Sequence, residues 1–172
     1  MADIELQRTR LRRFKISDLQ NMIELESDPD VMKFTPSRVP LSRERSKERL
    51  EDLISKEKTH GEFGVWAAEF KDTGEFLGWF MLLKRDLEYP ELGFMIVKKH
   101  WNKGLTTEAA AGLVQYGFTF LGLSGISAAT TLDNCASQKV LTKIGFSKVK
   151  SSSIPDSVLN HDIGLEVFEI LK

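Results

Sequence analysis

The sequence predicts an α+β fold in three layers, with helices on both faces of a mixed, mostly antiparallel sheet of about seven strands. Three successive runs between Phe63 and Val97 alternate with a period of two, which is typical of an antiparallel meander. Large apolar side chains fall on both faces of these strands, so both faces of the sheet need a cover. With 172 residues the chain fits one domain, residues 1–172, around a single core.

The first strand is predicted at Glu5–Phe14, where side chains alternate between two faces. Arg8, Arg10 and Arg12 share one of these faces. A row of arginines could form an anion site, but charged side chains also commonly protect an exposed sheet edge. We interpret the row as the solvated face of an edge strand.

Two helices are predicted before the meander. Ser17-Asp-Leu-Gln20 has the form of a capping box, and its helix runs to about Ser27, where Asp28-Pro-Asp30 ends it. Ser42 caps a second helix that runs to about Lys58. The apolar residues of this second helix form only a narrow stripe, so it should lie on the surface, where it could form the rim of a substrate site.

The meander begins with a hairpin of Phe63–Phe70 and Phe76–Leu83, in which Gly74 supplies the positive φ of the turn. Glu91–Val97 is the third strand. Helical and strand periods then alternate, which predicts a helix at 105–121, a strand at 125–131, a helix at 134–144, and strands at 146–150 and 163–171 separated by a loop at 151–162.

The composition excludes several classes of function. Lys and Arg number 24 against 25 Asp and Glu, for a net charge of −1, so no global charge favours nucleic acid or an anionic membrane as partner. One cysteine excludes an internal disulfide, and three histidines offer no zinc-ligand spacing, so no metal is expected. The N-terminus lacks the blocks of a signal peptide, and no apolar run approaches the ~20 residues that span a bilayer. The cytoplasm is therefore the expected location.

One stretch has a direct chemical use. The third strand leads through Lys103-Gly104 into a helix, and free N–H groups at a helix start bind phosphate. A glycine lets consecutive N–H groups point at the ligand, and the basic side chains of Lys98, Lys99, His100 and Lys103 add positive charge. A glycine before a helix is also common as a simple turn, so this loop alone does not decide the function.

A second motif lies at the start of the predicted helix 134–144. Asn134 and Ser137 are three positions apart and share a helical face, whereas the apolar residues lie on another face that can pack on the sheet. Asn134 could simply cap the helix, and both roles can coexist. Cys135 is adjacent, but a thiol nucleophile would need a partner histidine, and none is assigned.

Together these motifs resemble the GNAT superfamily of acetyl-CoA-dependent N-acetyltransferases, and within it the RimJ/RimL-like branch that includes ribosomal-protein-alanine N-acetyltransferases. The similarity covers nearly the whole chain. The matching segments are Thr9-Arg-Leu-Arg-Arg13 with Ser17-Asp-Leu19, Asp28-Pro-Asp-Val-Met32, Val65-Trp-Ala67, Asp72-Thr-Gly74 with Gly78-Trp79, Glu91-Leu-Gly-Phe94, Trp101-Asn-Lys-Gly-Leu-Thr-Thr-Glu-Ala109 and Asn134-x-x-Ser-x-x-Val-x-x-Lys-x-Gly-Phe146. The resemblance implies the GNAT fold, with acetyl-CoA as cosubstrate.

The resemblance also assigns the cofactor-binding residues. The family's pyrophosphate loop falls on Trp101–Thr106, where Gly104 keeps the family pattern, Asn102 replaces a frequent extra glycine and Thr106 replaces a small residue. The pantetheine arm is expected to pair with the backbone of the third strand. The cofactor-binding residues implied by the resemblance are Phe94, Met95, Ile96, Val97, Trp101, Asn102, Lys103, Gly104, Leu105, Thr106, Thr107, Asn134 and Ser137.

The same resemblance places two catalytic residues near the thioester. Glu91 is predicted to be the general base, acting directly or through a water; the alternative is a strand carboxylate paired with a neighbouring Lys or Arg. Ser137 would lie near the sulfur. Many family members protonate the departing thiolate from a tyrosine four positions later, but this chain has Leu141 there, so Ser137 or a water is the candidate donor.

The predicted reaction is direct attack of a primary amine on the thioester, with a protein N-terminus or a small amine as acceptor. An α-amine with a pKa near ~8 is ~10% neutral at pH 7, whereas a lysine near ~10.4 is below ~0.1% neutral, so a weak base suffices for an N-terminus. The alternative is an acyl-CoA-binding regulatory module with little or no turnover. A homodimer is plausible by the resemblance, although no stripe in the sequence is clearly an interface.

Overall fold

The computed structural model describes residues 2–35, 37–57, 59, 61–149 and 164–172. These residues form one sheet of eight strands and five α-helices. The strands are β1 (Ile4–Glu5), β2 (Thr9–Arg12), β3 (Gly64–Phe70), β4 (Phe76–Leu83), β5 (Glu91–Ile96), β6 (Gly125–Thr131), β7 (Ser147–Lys148) and β8 (Leu165–Leu171). The helices are α1 (Leu19–Ser27), α2 (Pro29–Met32), α3 (Arg43–Lys56), α4 (Leu105–Thr119) and α5 (Cys135–Lys143), with short 3₁₀ turns at Ile16–Asp18 and Lys98–His100.

The sheet contains one parallel contact, and this contact is short. The strand order is β1-β2-β3-β4-β5-β6-β8-β7, and neighbouring strands are antiparallel except β5 and β6. These two parallel strands pair at Glu91 and Ser127 alone, whereas every residue of β5 pairs with β4. A fork therefore opens between β5 and β6 toward their C-terminal ends.

Helices cover both faces of the sheet, as predicted. On one face α4 and α5 enclose a core that includes Phe80, Leu113 and Leu141. On the other face α1 and α3 enclose a second core, to which Met22 and Leu50 contribute. The three-layer α+β class is confirmed.

The central elements agree closely with the sequence prediction. β3 and β4 form the predicted hairpin, and Gly74 in its turn has a φ of 72°. β6 spans the predicted residues, Gly125–Thr131. The two last strands are shorter than predicted, and the predicted loop at 151–162 lies outside the described residues.

The N-terminal strand differs from the prediction. Two short strands replace the single strand at Glu5–Phe14, which makes the sheet eight-stranded, and β2 lies between β1 and β3 instead of at an edge. The Arg12 side chain is only 9% exposed and donates two hydrogen bonds of 2.8 Å to Asp18. It also pairs with Glu69 on β3. The arginine row is therefore partly an internal charge network, because neighbouring elements supply its counter-charges.

The start of α1 also differs from the prediction. Lys15 and Asp18 form the capping box at the 3₁₀ turn before α1, and the Asp18 carboxylate accepts the N–H of Lys15 at 2.8 Å. The predicted box that begins at Ser17 is therefore wrong. Because Asp18 also binds Arg12, this cap connects the start of α1 to the sheet.

Asp28 begins a further short helix that was not predicted. Its carboxylate accepts the N–H of Asp30 at 2.8 Å, and Pro29 occupies the first helical position, where no N–H is needed. The segment thus ends α1 and starts α2. Ser42 caps α3 as predicted, because its hydroxyl accepts the N–H of Arg45.

A glycine on β4 fixes the position of β5. Gly78 has a φ of 147°, and a Cβ at this residue would lie 2.0 Å from the carbonyl oxygen of Met95. No side chain fits between the two backbones there. The close approach positions the strand whose opposite edge borders the fork.

Candidate active site

The fork between β5 and β6 opens into a cleft of about 1370 Å³. Its walls come from β5, β6, the starts of α4 and α5, and the helices on the opposite face of the sheet. Small-molecule pockets commonly measure ~300–1,000 Å³, so this volume can hold a nucleotide-sized molecule together with a second ligand.

The edge of β5 that faces the fork presents unpaired backbone N–H groups. The N–H of Val97 donates to β4 at 2.9 Å, whereas the carbonyl of Pro90 accepts from β6 at 3.0 Å. Successive residues of a strand direct these groups to opposite sides, so Phe94 and Ile96 direct their N–H groups toward the fork. Beyond the single β5–β6 pair, no strand in the described part of the chain meets them there.

The loop before α4 has the backbone geometry that an anion site requires. Asn102 and Gly104 have φ values of 60° and 73°, in the left-handed region. Asparagine tolerates this region better than most residues, which explains how Asn102 replaces a glycine. Gly104 caps α4 without a side chain, so the N–H groups of residues 105–107 remain available to a ligand.

The side chains around this loop act differently from the prediction. Trp101 donates its indole N–H to the carbonyl of Ile96 at 2.8 Å, which fixes the loop to the end of β5. Lys98 and Lys99 are each paired with an acidic side chain on another element. Burial lowers the pKa of His100, which favours the neutral form of its ring. The positive charge expected from residues 98–100 is thus largely neutralised or absent.

Arg8, assigned from the sequence to a solvated face, lies at this loop. Its Nε donates to Glu108 at 2.7 Å, and its Nη1 donates to the carbonyl of Lys103 at 3.1 Å. Glu108 also accepts the backbone N–H groups of Arg8 and Thr9. This clasp connects β2 to the first turn of α4 and places a guanidinium beside Gly104. The partners are 100 positions apart, so no local spacing could indicate the pair.

Asn134 and Ser137 meet at the start of α5. The Asn134 side-chain oxygen accepts the N–H of Ser137 at 3.1 Å, which confirms the capping role. Both residues line the cleft, and the Asn134 amide N–H groups stay available for a ligand. Leu141, one turn later, is 2% exposed and belongs to the main core. Cys135 is exposed and is not part of the cleft wall.

Most of the predicted cofactor-binding residues come together in the cleft. Those that line it are Phe94, Met95, Ile96, Trp101, Asn102, Gly104, Thr106, Thr107, Asn134 and Ser137. Three do not line it. Val97 and Leu105 are buried in the two cores, and Lys103 is exposed and offers its carbonyl to Arg8. Their side chains support the loop from outside the cleft.

Glu91 lies at the vertex of the fork. It pairs with Ser127 of β6, and its side chain lines the cleft and is 15% exposed. Burial raises the pKa of Glu91, and the charge of Arg85 opposes this only in part, with Nη1 at 3.6 Å from the carboxylate. The ion pair considered from the sequence is therefore present, but it is long, and it leaves the carboxylate a better proton acceptor than a free glutamate.

The cleft has one lobe on each face of the sheet. Alternate residues of β5 point to opposite faces. Met95 packs in the core under α1 and α3, whereas Phe94 and Ile96 pack in the core under α4. Glu91 is four residues before Met95 and so points into the α1/α3 lobe. The loop at Gly104 belongs to the α4 lobe, on the other side of the fork.

We predict that Gly104→Ala weakens the binding of acetyl-CoA, the cosubstrate that the resemblance implies, in addition to straining the backbone. Gly74→Ala is the control variant. Gly74 has a φ of 72°, against 73° for Gly104, and has open space around it, but it lies in the hairpin turn away from the cleft. Each alanine should destabilise the protein by about 1–2 kcal/mol, because the left-handed region disfavours a Cβ. Thermal melting and calorimetric titration should show similar stability losses but weaker acetyl-CoA binding for Gly104→Ala alone. Equal affinities would argue against a phosphate at this loop.

The described ranges contain neither a metal-binding cluster nor a membrane-spanning helix. Within them, no group of three or more His, Cys, Asp or Glu residues could hold a metal ion. No helix there is long and apolar enough to cross a membrane.

Comparison with known proteins identifies the family of this fold. The model of the acetyltransferase (GNAT) domain matches residues 8–147. An uncharacterized N-acetyltransferase, p20 of Bacillus licheniformis, is 26% identical over 100% of this chain and 97% of its own. A GNAT-family acetyltransferase from Bacillus anthracis superposes with a TM-score of 0.83 at 24% identity, covering 99% of this chain and 98% of that one. The structure of RimL, a ribosomal L7/L12 alpha-N-protein acetyltransferase in complex with coenzyme A, superposes with a TM-score of 0.79 at 13% identity. The match covers 99% of this chain and 98% of that one.

Proposed function

Because the chain belongs to the GNAT family of N-acetyltransferases, we propose that it moves an acetyl group from acetyl-CoA to a primary amine by direct attack on the thioester. The observation that carries this proposal is the fork. Free strand N–H groups, a carboxylate and a helix start that has no side-chain cap line one cleft there. The complex of RimL with coenzyme A supports the choice of cosubstrate.

The diphosphate of acetyl-CoA would lie at the start of α4. Its charges need several donors, and the N–H groups of residues 105–107 supply them along the helix dipole, which adds about 0.3–1 kcal/mol. Arg8 holds this loop in place through the carbonyl of Lys103, while its own charge is paired with Glu108. These features fit an anionic ligand without help from the neutralised residues 98–100.

The thioester would lie along the free edge of β5. Phe94 and Ile96 direct N–H groups into the fork, so a carbonyl oxygen placed there can accept a hydrogen bond. When the amine attacks, negative charge develops on this oxygen and the bond strengthens. Losing one such donor in other enzymes costs about 2.7–4 kcal/mol of transition-state stabilisation.

The amine would enter from the α1/α3 lobe, where Glu91 points. A carboxylate with a raised pKa accepts a proton more readily, and Glu91 can take it directly or through a water. An α-amine with a pKa near ~8 needs little help, because ~10% of it is neutral at pH 7. A protein N-terminus or a small amine of low pKa is therefore the preferred acceptor class.

The departing thiolate must acquire a proton. Leu141 cannot donate one and is buried in the core. Ser137 lines the cleft at the start of α5, with its backbone N–H fixed by Asn134, so its hydroxyl or a water held there is the proposed donor. The Asn134 amide would bond the pantetheine arm.

Thiol release tests the proposed function. Purified protein is mixed with acetyl-CoA and a panel of N-terminal peptides and small amines, and free CoA is measured with a thiol reagent. We expect at least one amine to raise the rate above that of acetyl-CoA alone. A raised melting temperature with acetyl-CoA but no release with any amine would instead support the regulatory acyl-CoA-binding module, which the buried Leu141 favours.

A further inference from the structure

The α1/α3 lobe contains a buried charge that the proposed reaction does not use. Glu26, near the end of α1, is 1% exposed and lines the cleft. Its Oε1 lies 2.8 Å from Nε of Arg49 on α3, in an ion pair. Its Oε2 is fully buried and has no hydrogen-bond partner among the described residues. Buried carboxylate oxygens normally have partners, so an open one in a cleft wall indicates a donor that arrives with a ligand.

The nearest protein group does not fill this vacant position. Burial raises the pKa of Glu26, and Ser46 and Arg49 favour its charged form. The hydroxyl of Ser46 is itself buried and makes no hydrogen bond within the described part of the chain. It therefore lies close to the carboxylate but outside hydrogen-bond geometry.

Two hydrogen-bond donors belong to the same lobe. Arg49 lines the cleft and is 48% exposed. Its Nε pairs with Glu26, so its two Nη groups still carry four N–H donors in the plane of the guanidinium. The indole N–H of Trp79 is buried without a partner in the described residues, and Trp79 also lines the cleft. Val65 and Met81 form an apolar floor between the polar groups.

The lobe is long enough for a peptide. In the β4–β5 register Leu83 lies opposite Glu91 and Trp79 opposite Met95, all on one face of the sheet. Four residues of strand extend ~13 Å, which is the length of an extended peptide of about four residues. An acceptor whose amine lies at Glu91 can therefore reach toward Trp79 with its backbone.

We propose that Glu26, Arg49 and Trp79 form an acceptor-binding site that recognises the backbone amide groups of a peptide. An N–H of the acceptor donates to Glu26 Oε2, and its carbonyl oxygens accept from Arg49 and Trp79. The alternation of one acceptor and several donors matches a peptide group, whereas a plain alkylamine would leave all of them unpaired. This inference rests on the proposed function and adds the residues that select the acceptor.

The test compares two acceptors in matched variants. The kcat/KM for trialanine amide is divided by that for n-butylamine, so that changes in cosubstrate binding cancel from the ratio. We expect Glu26→Gln and Arg49→Gln to lower this ratio at least tenfold, because each removes a hydrogen-bonding group that the peptide uses and n-butylamine does not. Arg45→Gln is the control, since Arg45 is exposed on the same helix, pairs with Glu48 and does not line the cleft.

A second variant separates recognition from folding. Arg49→Lys keeps the positive charge but loses the planar set of guanidinium donors. It should lower the ratio while its melting temperature stays near that of the wild type. If both acceptors are acetylated and the ratio stays within twofold in all three cleft variants, the inference is wrong and the proposed function stands. If no amine is acetylated by the wild type, the proposed function itself fails.

Discussion

Replacing Glu91 with glutamine is expected to lower kcat/KM for amine acetylation by about 10²- to 10⁴-fold, the range that general base catalysis contributes. Glutamine keeps the size of the side chain at the vertex of the fork but cannot accept the proton. The loss should be near the lower end for an α-amine and larger for a lysine-like amine, which depends more on the base. Thiol release under limiting amine measures the effect.

The pH profile gives this prediction a sign. The raised pKa of Glu91 means that, as the pH is lowered, the wild-type rate becomes more steeply pH-dependent at a higher pH than a free glutamate would give. Below this pKa both Glu91 and the amine must lose a proton, so log kcat/KM rises with a slope of two; above it the slope is one until the amine titrates. Glu91→Gln should leave a slope of one throughout.

A nearby glutamate supplies the matched control for this variant. Glu88 precedes β5 by three positions, is exposed and does not line the cleft, so Glu88→Gln should keep the wild-type rate and profile. If Glu91→Gln retained more than a third of the wild-type rate, the base would have to be another group or none at all.

Replacing Arg12 with alanine is expected to destabilise the protein by about 3–5 kcal/mol, because it leaves the buried carboxylate of Asp18 without its counter-charge and that of Glu69 with Arg10 alone. Chemical denaturation measures the loss. Arg10→Ala removes a different cation from the same Glu69, but Arg10 is 37% exposed, and its loss should be much smaller. Equal losses would mean that burial of the Arg12 network does not matter.

The same network predicts acid sensitivity. Burial alone would raise the pKa values of Asp18 and Glu69, but hydrogen bonds from Arg12 outweigh it and lower both. Groups with lowered pKa values stabilise the folded state above their unfolded pKa, and this contribution is lost as the pH falls through the folded values. The wild type should therefore lose stability below about pH 4, near the ordinary carboxyl pKa, and Arg12→Ala should lose less over that range.

The periodic elements could be predicted because each buries a face that its own sequence displays. The hairpin around Gly74 has a period of two and β6 is a short run typical of a buried strand, and both were found where expected. The arginine row on β2 could not be interpreted in this way. Its counter-charge on Glu69 lies 57 positions from Arg12, so in the sequence the row is indistinguishable from a solvated face.

In the candidate site, too, the sequence predicts the features made by neighbouring residues but not those made by distant ones. Local motifs indicate the loop at Gly104 and the helix start at Asn134, because a turn and a cap are made by neighbouring residues. The clasp between Arg8 and Glu108 depends on chain segments far apart, as does the pair in the α1/α3 lobe. The fork itself follows from how far β5 and β6 pair, which no local pattern specifies.

The proposed binding position of acetyl-CoA is the free edge of β5. Residue-resolved amide hydrogen exchange by NMR, with and without saturating acetyl-CoA, tests it most directly. The N–H groups of Phe94 and Ile96 should become protected on binding, whereas Met95 and Val97, which already bond β4, should change little. Unchanged exchange at Phe94 and Ile96 with acetyl-CoA bound would contradict the account.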